Sequence, residues 1–131
     1  MGIIVKTNPS EVRPSQDFLK ENTLRFIKEN YEKGNFDKLP PTPIVRKDNE
    51  GRFIAIDGHN LLAFYYIKNL DCEVYVAESK DDGLLGDSDM VTKRNKDLFE
   101  KYEVVLGEAE SLTQKGIRTI GDLCKLSSNL A

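Results

Sequence analysis

The chain has 131 residues, of which 39% are hydrophobic and 31% charged, and a formal net charge of −3. That length suits one domain, able to bury about two-thirds of the surface its unfolded chain exposes. Basic and acidic side chains nearly balance in both halves, so the sequence shows no basic arm or concentrated basic stretch of the kind that strong non-specific nucleic-acid binding needs.

No run approaches the roughly 18 apolar residues that cross a bilayer, so no membrane partner is expected. The N-terminal MGIIVKTNPS lacks the basic-then-apolar order of a signal peptide. Lys6 stands where a myristoylation motif wants a small hydroxyl residue. A cytoplasmic protein is expected. Cys72 and Cys124 have no metal-ligand spacing, and with one histidine the chain predicts no metal site. The two cysteines read as packed thiols in a reducing compartment.

Ile3-Ile4-Val5 opens a strand that Asn8-Pro9 must end, because proline cannot donate to a sheet ladder. Ser10 to Leu19 reads as an ordered loop with one helical turn, and a loop of that length in a small domain is often functional. Asn22 or Thr23 is positioned to cap a helix reaching about Lys33, with Leu24, Ile27 and Tyr31 on its apolar stripe. Gly34 supplies its left-handed stop. Asn35 to Pro43, with three prolines, is a stiff extended connector.

Ile44-Val45-Arg46, a turn at Asp48-Asn49-Glu50-Gly51, and Phe53 to Ile56 predict a hairpin. Then comes Asp57-Gly58 and a helix from about Asn60 to Asn69. Leu61 to Ile67 has no polar break, so that helix must be covered on both sides. Cys72 to Val76 is the next strand, with Glu73 and Tyr75 on one face. Lys80 to Asp89 is a loop. Ser88 to Lys115 is helical with a break near Tyr102 to Gly107, and Thr119 caps a last helix after Gly116. The clusters Arg46, Lys47, Arg52 and Lys93, Arg94, Lys96 read as solvated surface.

The stretch Phe53 to Val76, strand, turn, buried helix, strand, carries the strongest chemical hint. A strand that ends in Asp-Gly and turns into a helix is a ready anion site: the helix N-terminus presents unpaired N–H groups and partial positive charge. Gly58 has no side chain to hold a ligand away, and His59 and Asn60 project into the same opening. Asp57 is able to accept from a hydroxyl or help hold Mg²⁺. His59 is the one side chain whose ordinary pKa suits proton transfer near neutrality, with Asp57 as its orienting partner; these two are the candidate catalytic residues. The same residues also have a purely structural reading: Asp57 a turn residue, Gly58 a backbone requirement, His59 a satisfied cap.

Pro43-Ile44-Val45, the hairpin, and Phe53-Ile54-Ala55-Ile56-Asp57-Gly58-His59-Asn60-Leu61-Leu62-Ala63 resemble the core of the ParB-like, or ParB/sulfiredoxin-like, domain family. Val12-Arg13-Pro14-Ser15-Gln16 is similar to the first-loop pattern of a small branch of that family. Gly116-Ile117-Arg118-Thr119-Ile120-Gly121-Asp122-Leu123 resembles that branch's ending. The resemblance spans roughly Ile3 to Leu126. It implies an α+β fold, a small mixed sheet flanked by helices, with a phosphate-binding turn at the N-terminus of the central helix. The whole chain, 1–131, would be a single ParB-like domain, with a core of about residues 1–79 and a helical C-terminal extension of about 87–131.

Members of the family use this turn to bind and hydrolyse CTP, to repair an oxidised cysteine with ATP, or to phosphorylate free serine, so the fold does not choose the reaction. Many carry Gly-x-x-Arg, with the arginine clamping phosphate; here Leu61 holds that position, which weakens nucleotide hydrolysis. Sulfiredoxin has its cysteine after the glycine; here it is His59, so that chemistry is not expected. The helix-turn-helix that partition proteins carry beyond this domain is not expected within these 131 residues.

Arg13, from the loop that by resemblance borders the pocket, is the candidate replacement cation, with Ser15 and Gln16 as the same wall. The candidate ligand-binding residues are thus Gly58, His59, Asn60, Arg13, Ser15 and Gln16. The candidate ligand is a phosphorylated metabolite or a nucleotide, the latter with Mg²⁺. Two alternatives stand beside it. One is a DNA-binding or regulatory accessory protein, whose terminal helix-Gly-Ile-helix resembles half of a helix-hairpin-helix. The other is a non-enzymatic interaction or self-dimer module using Tyr65, Tyr66 or the terminal helices.

Overall fold

The computed structural model describes residues 2–126. Strand β1 spans Ile3–Thr7. Asn8 ends it by accepting the Ser10 N–H on its side chain at 3.0 Å, which starts a 3₁₀ turn over Pro9–Glu11. The expected loop then holds a two-residue strand, β2 (Val12–Arg13). Too short for any alternation to announce it, β2 forms because Val12 is fully buried beside the sheet.

Helix α1 spans Glu21–Glu32. It begins ahead of the expected Asn22 or Thr23 cap, and Lys20 at its N-cap offers no side-chain bond. A tertiary contact does the anchoring: the Lys20 N–H donates to Asn60 Oδ1 at 2.8 Å. Leu24 and Ile27 are buried as their spacing predicts. The proline connector contains a short 3₁₀ turn at Phe36–Lys38.

Strands β3 (Ile44–Lys47) and β4 (Phe53–Asp57) form the antiparallel hairpin. Asp48 builds its turn, taking the N–H groups of Glu50 at 2.8 Å and Arg52 at 2.9 Å on one carboxylate oxygen. Helix α2 (His59–Ile67) follows, then β5 (Cys72–Val76). The sheet order is β1-β5-β3-β4-β2. β5 therefore lies beyond β3, parallel to it and antiparallel to β1. Strand, helix and strand from Phe53 to Val76 do not make a pair of adjacent parallel strands. β2 closes the other edge, parallel to β4.

Helices α3 (Asp89–Lys101) and α4 (Val104–Gln114) follow, and α5 spans Ile120–Leu126. The break between α3 and α4 is held by Arg46, whose guanidinium carbon stacks 3.9 Å from the Tyr102 ring centroid while Nη1 donates to the Tyr102 carbonyl at 2.8 Å. So Arg46 is half-buried and not a solvated surface charge.

The chain is a mixed α+β fold, with two apolar layers on either side of the sheet. One joins α1, α2 and α5 to Val45, Ala55, Val74 and Val76. The other joins α3 and α4 to Ile44, Ile54 and Ile56. Successive β4 residues alternate between these layers, as the pleat requires. The helices after residue 87 thus complete both faces of the core. α5 comes close to α2 at Gly121, where a Cβ would lie 2.7 Å from Tyr66 Oη. Among the described residues no helix is long and apolar enough to cross a membrane.

Candidate functional site

β4 delivers Asp57 to the edge of the fold, and the chain turns at Gly58 with φ 94° and ψ 24°. Only glycine takes this left-handed conformation without strain. A second constraint coincides with it: a Cβ on Gly58 would lie 2.6 Å from Pro43 Cβ and 2.8 Å from Pro43 Cα. The room gained by the missing side chain is filled by proline.

α2 starts at once. Its first backbone bond runs from the Leu62 N–H to the Gly58 carbonyl at 3.0 Å. The N–H groups of His59, Asn60 and Leu61 have no acceptor among the described residues, no side chain caps the helix, and its first turn carries no carboxylate. These groups hold the positive end of the helix dipole.

His59 is buried, 3% exposed. Its Nε2 accepts the Ser15 N–H at 3.0 Å, with Ser15 Oγ 3.4 Å away. Ser15 Oγ donates to the Ala55 carbonyl at 2.6 Å. Burial pushes the imidazole pKa down to about 4; the Asp57 charge opposes this and Lys101 adds to it. The ring is neutral at pH 7 and, since Nε2 accepts, carries its proton on Nδ1. A ring so placed fixes the loop to the turn and is ill suited to exchanging protons with a ligand.

Asp57 is half-exposed, and its Oδ2 accepts Arg94 Nε at 3.0 Å. Arg94 Nη2 also donates to the Thr42 carbonyl. This guanidinium ties the end of β4 to the segment that carries Pro43. The expected solvated cluster is corrected here: Arg94 is only 7% exposed. The helical spacing Val91, Arg94, Leu98 puts it on the inward stripe of α3 and was the available signal.

Asn60 holds Lys20, as described above. Gln16 Nε2 donates to the Phe18 carbonyl at 2.9 Å. Ser15 and Gln16 line an open cleft of about 580 Å³ against Val104, Glu108 and Leu112 of α4. The charged side chains lining that cleft, Asp17 and Glu108, are both acidic, a poor seat for phosphate.

Arg13 points elsewhere. Its Nη1 donates to Asp48 Oδ2 and its Nη2 to Thr113 Oγ1, both at 2.8 Å, and its buried Nε has no partner among the described residues. Burial alone would raise the Asp48 pKa, but the Arg13 bond and the N–H groups of Arg52 and Glu50 outweigh it and hold it below the ordinary value. Arg13 joins the hairpin turn to α4.

The structure therefore brings Asp57, Gly58, His59, Asn60 and Ser15 together, adds Arg94, and directs Arg13 and Gln16 to other contacts. Leu61, at the arginine position of the resemblance, lies in the core at 5% exposure. Among the described residues no three His, Cys, Asp or Glu side chains gather to cage a metal ion. Asp57 would meet Mg²⁺ with one oxygen already engaged, so the turn offers the ion no cage of its own.

Cys72 and Cys124 are free thiols, raised by burial to about 12 and about 11. At the terminal hairpin the Ile117 N–H donates to the Leu112 carbonyl at 2.9 Å and the Arg118 N–H to Asp122 Oδ2 at 2.9 Å.

No family model and no curated protein matches the sequence. Among solved structures the chain is similar to the crystal structure of protein Atu1540 from Agrobacterium tumefaciens, at 16% identity and a TM-score of 0.47. The match covers 58% of this chain and 38% of that one.

Proposed function

We propose that the chain is a ParB-like protein whose Asp57-Gly58-His59-Asn60 turn seats a phosphate-type anion, a phosphorylated metabolite or a nucleotide, in a cytoplasmic setting. The observation that carries this reading is the uncapped start of α2: three adjacent N–H groups without an acceptor among the described residues, in a first turn free of carboxylates. Such a helix start favours an anion both by hydrogen bonding and by its dipole. Arg94, hydrogen-bonded to Asp57, brings a guanidinium to the turn that Leu61 leaves without the resemblance's arginine. The reading is of a binding site and not of a proton-transfer site, because His59 is neutral and its Nε2 is occupied. Mg²⁺ would enter with a nucleotide's phosphates, which supply most of its ligands.

Calorimetry with pyrophosphate and with nucleoside triphosphates, each with and without Mg²⁺, tests this reading. Asn60→Asp is the informative variant. It keeps the oxygen that accepts from Lys20, and its charge suits the helix N-terminus, so the fold is retained or gains stability. A bound anion would instead meet a unit negative charge about 5 Å away, which costs on the order of 1–3 kcal/mol. Binding to the native chain and at least tenfold weaker binding to the variant are expected. Equal affinity in both would move the site elsewhere, and no binding of any probe to the native chain would end the proposal.

A further inference from the structure

A second cavity, of about 650 Å³, opens where α1, the 3₁₀ turn at Phe36 and α2 meet. Tyr31, Phe36 and Tyr65 line it, one from each of these elements. Tyr31 lies 5.4 Å from Phe36 at 66° and 6.1 Å from Tyr65 at 87° between ring planes. At such angles the rings form separate walls and not a stack. Leu61 lies among the apolar residues that complete the lining.

The charge beside these rings is mainly negative. Asp71 and Glu73 line the cavity, against a single basic side chain, Lys6. The same aromatic group already attracts a cation of the chain itself. Phe64 packs against Tyr31 at 5.1 Å and Tyr65 at 5.7 Å, and the Lys68 ammonium lies 5.9 Å from its centroid.

Aromatic walls and carboxylates in one cavity suit one ligand chemistry. A cation within about 6 Å of a ring face is drawn by its quadrupole. A primary ammonium is strongly hydrated and loses that water badly among apolar walls. An alkylated ammonium is weakly hydrated and matches both the rings and the aliphatic lining. We propose that this cavity binds an alkylated ammonium group, with Tyr31, Phe36 and Tyr65 as its π walls and Asp71 and Glu73 as the countercharge. The site is independent of the anion reading at the turn.

The test is an NMR titration of the ¹⁵N-labelled full chain with choline and with its neutral isostere 3,3-dimethylbutan-1-ol, at matched ionic strength. Choline is expected to shift the amides of Phe36, Tyr65, Asp71 and Glu73, and the alcohol to bind at least about tenfold more weakly, as loss of the cation–π attraction at several rings implies. Phe36 is 59% exposed, so Phe36→Leu should fold while losing its ring. It should weaken choline binding by about threefold to thirtyfold. Equal affinity for choline and the alcohol would make this a plain apolar cavity, and an absence of choline-dependent shifts there up to its solubility would remove the site. Both outcomes overturn the proposal, and both are read on the native chain even if the variant does not fold.

Discussion

The Ser15 N–H donates to Nε2 of His59 at 3.0 Å, joining two residues 44 positions apart, and this bond exists only while the imidazole is neutral. It ties the loop after β2 to the start of α2, so the charge state of one ring is linked to the position of that loop.

The pH dependence follows from that bond. Burial depresses the His59 pKa from 6.5 to about 4. Between those values the unfolded chain takes up a proton that the folded chain refuses, so stability falls as pH falls. The His59 contribution is fully present above pH 6.5, declines through the window, and is spent near pH 4. The loss amounts to about 3 kcal/mol across the window. Urea unfolding at pH 7.5 and pH 5 reads the upper part of that window, about 2 kcal/mol. His59→Gln, which cannot titrate, should be less stable at pH 7.5 and show a much flatter profile from pH 7.5 to 5. An equally steep profile in that variant would assign the dependence to other groups.

Gly58 and Gly34 separate two reasons for glycine. Both have positive φ, 94° and 75°. A Cβ at Gly34 meets nothing within 4 Å, whereas one at Gly58 meets Pro43 at 2.6 Å. Gly34→Ala should therefore cost about 1 kcal/mol, the backbone penalty alone. Gly58→Ala adds an overpacking penalty of about 1–3 kcal/mol. Thermal unfolding of the two variants measures the difference, and equal losses would mean that Pro43 yields freely.

The elements with strong periodicity were legible in the sequence. Leu24 and Ile27 marked the buried stripe of α1, and the unbroken Leu61–Ile67 run marked a helix covered by neighbours. The Asp48 turn was equally plain. What escaped was whatever depends on tertiary placement. β2 is only two residues long and exists because β4 is beside it. Arg13 and Arg94 have the same residue type and gave opposite impressions. Arg13, in a loop beside the expected pocket, reaches Asp48 and Thr113. Arg94, in a run of charges, turns inward to Asp57. Residue type states that a guanidinium wants a carboxylate; only the packing of helices on the sheet selects which one. The strand-to-helix turn was visible as Asp-Gly before a helix, but the plug that Pro43 forms at Gly58 was not.

Arg94 sets the last prediction. Its guanidinium serves two acceptors, Asp57 Oδ2 and the Thr42 carbonyl, and is 7% exposed. Asp57 is 39% exposed at its side chain, so water partly screens the pair and can recover the carboxylate once its partner is removed. Arg94→Met should therefore cost about 1–3 kcal/mol, less than the loss of a fully buried pair. Arg94→Lys should recover little, because one ammonium on a flexible stem does not reproduce a planar fork aimed at two oxygens. Asp57→Asn keeps an acceptor for Nε and should lose less than Arg94→Met. Chemical denaturation of the three variants gives this order. If Arg94→Lys matched the native chain, the fork geometry would be irrelevant and charge alone would hold Asp57. If Asp57→Asn lost more than Arg94→Met, the carboxylate would have a partner beyond Arg94. Asp57→Asn also bears on the site, since removing one negative charge from the turn should tighten anion binding there while Asn60→Asp weakens it.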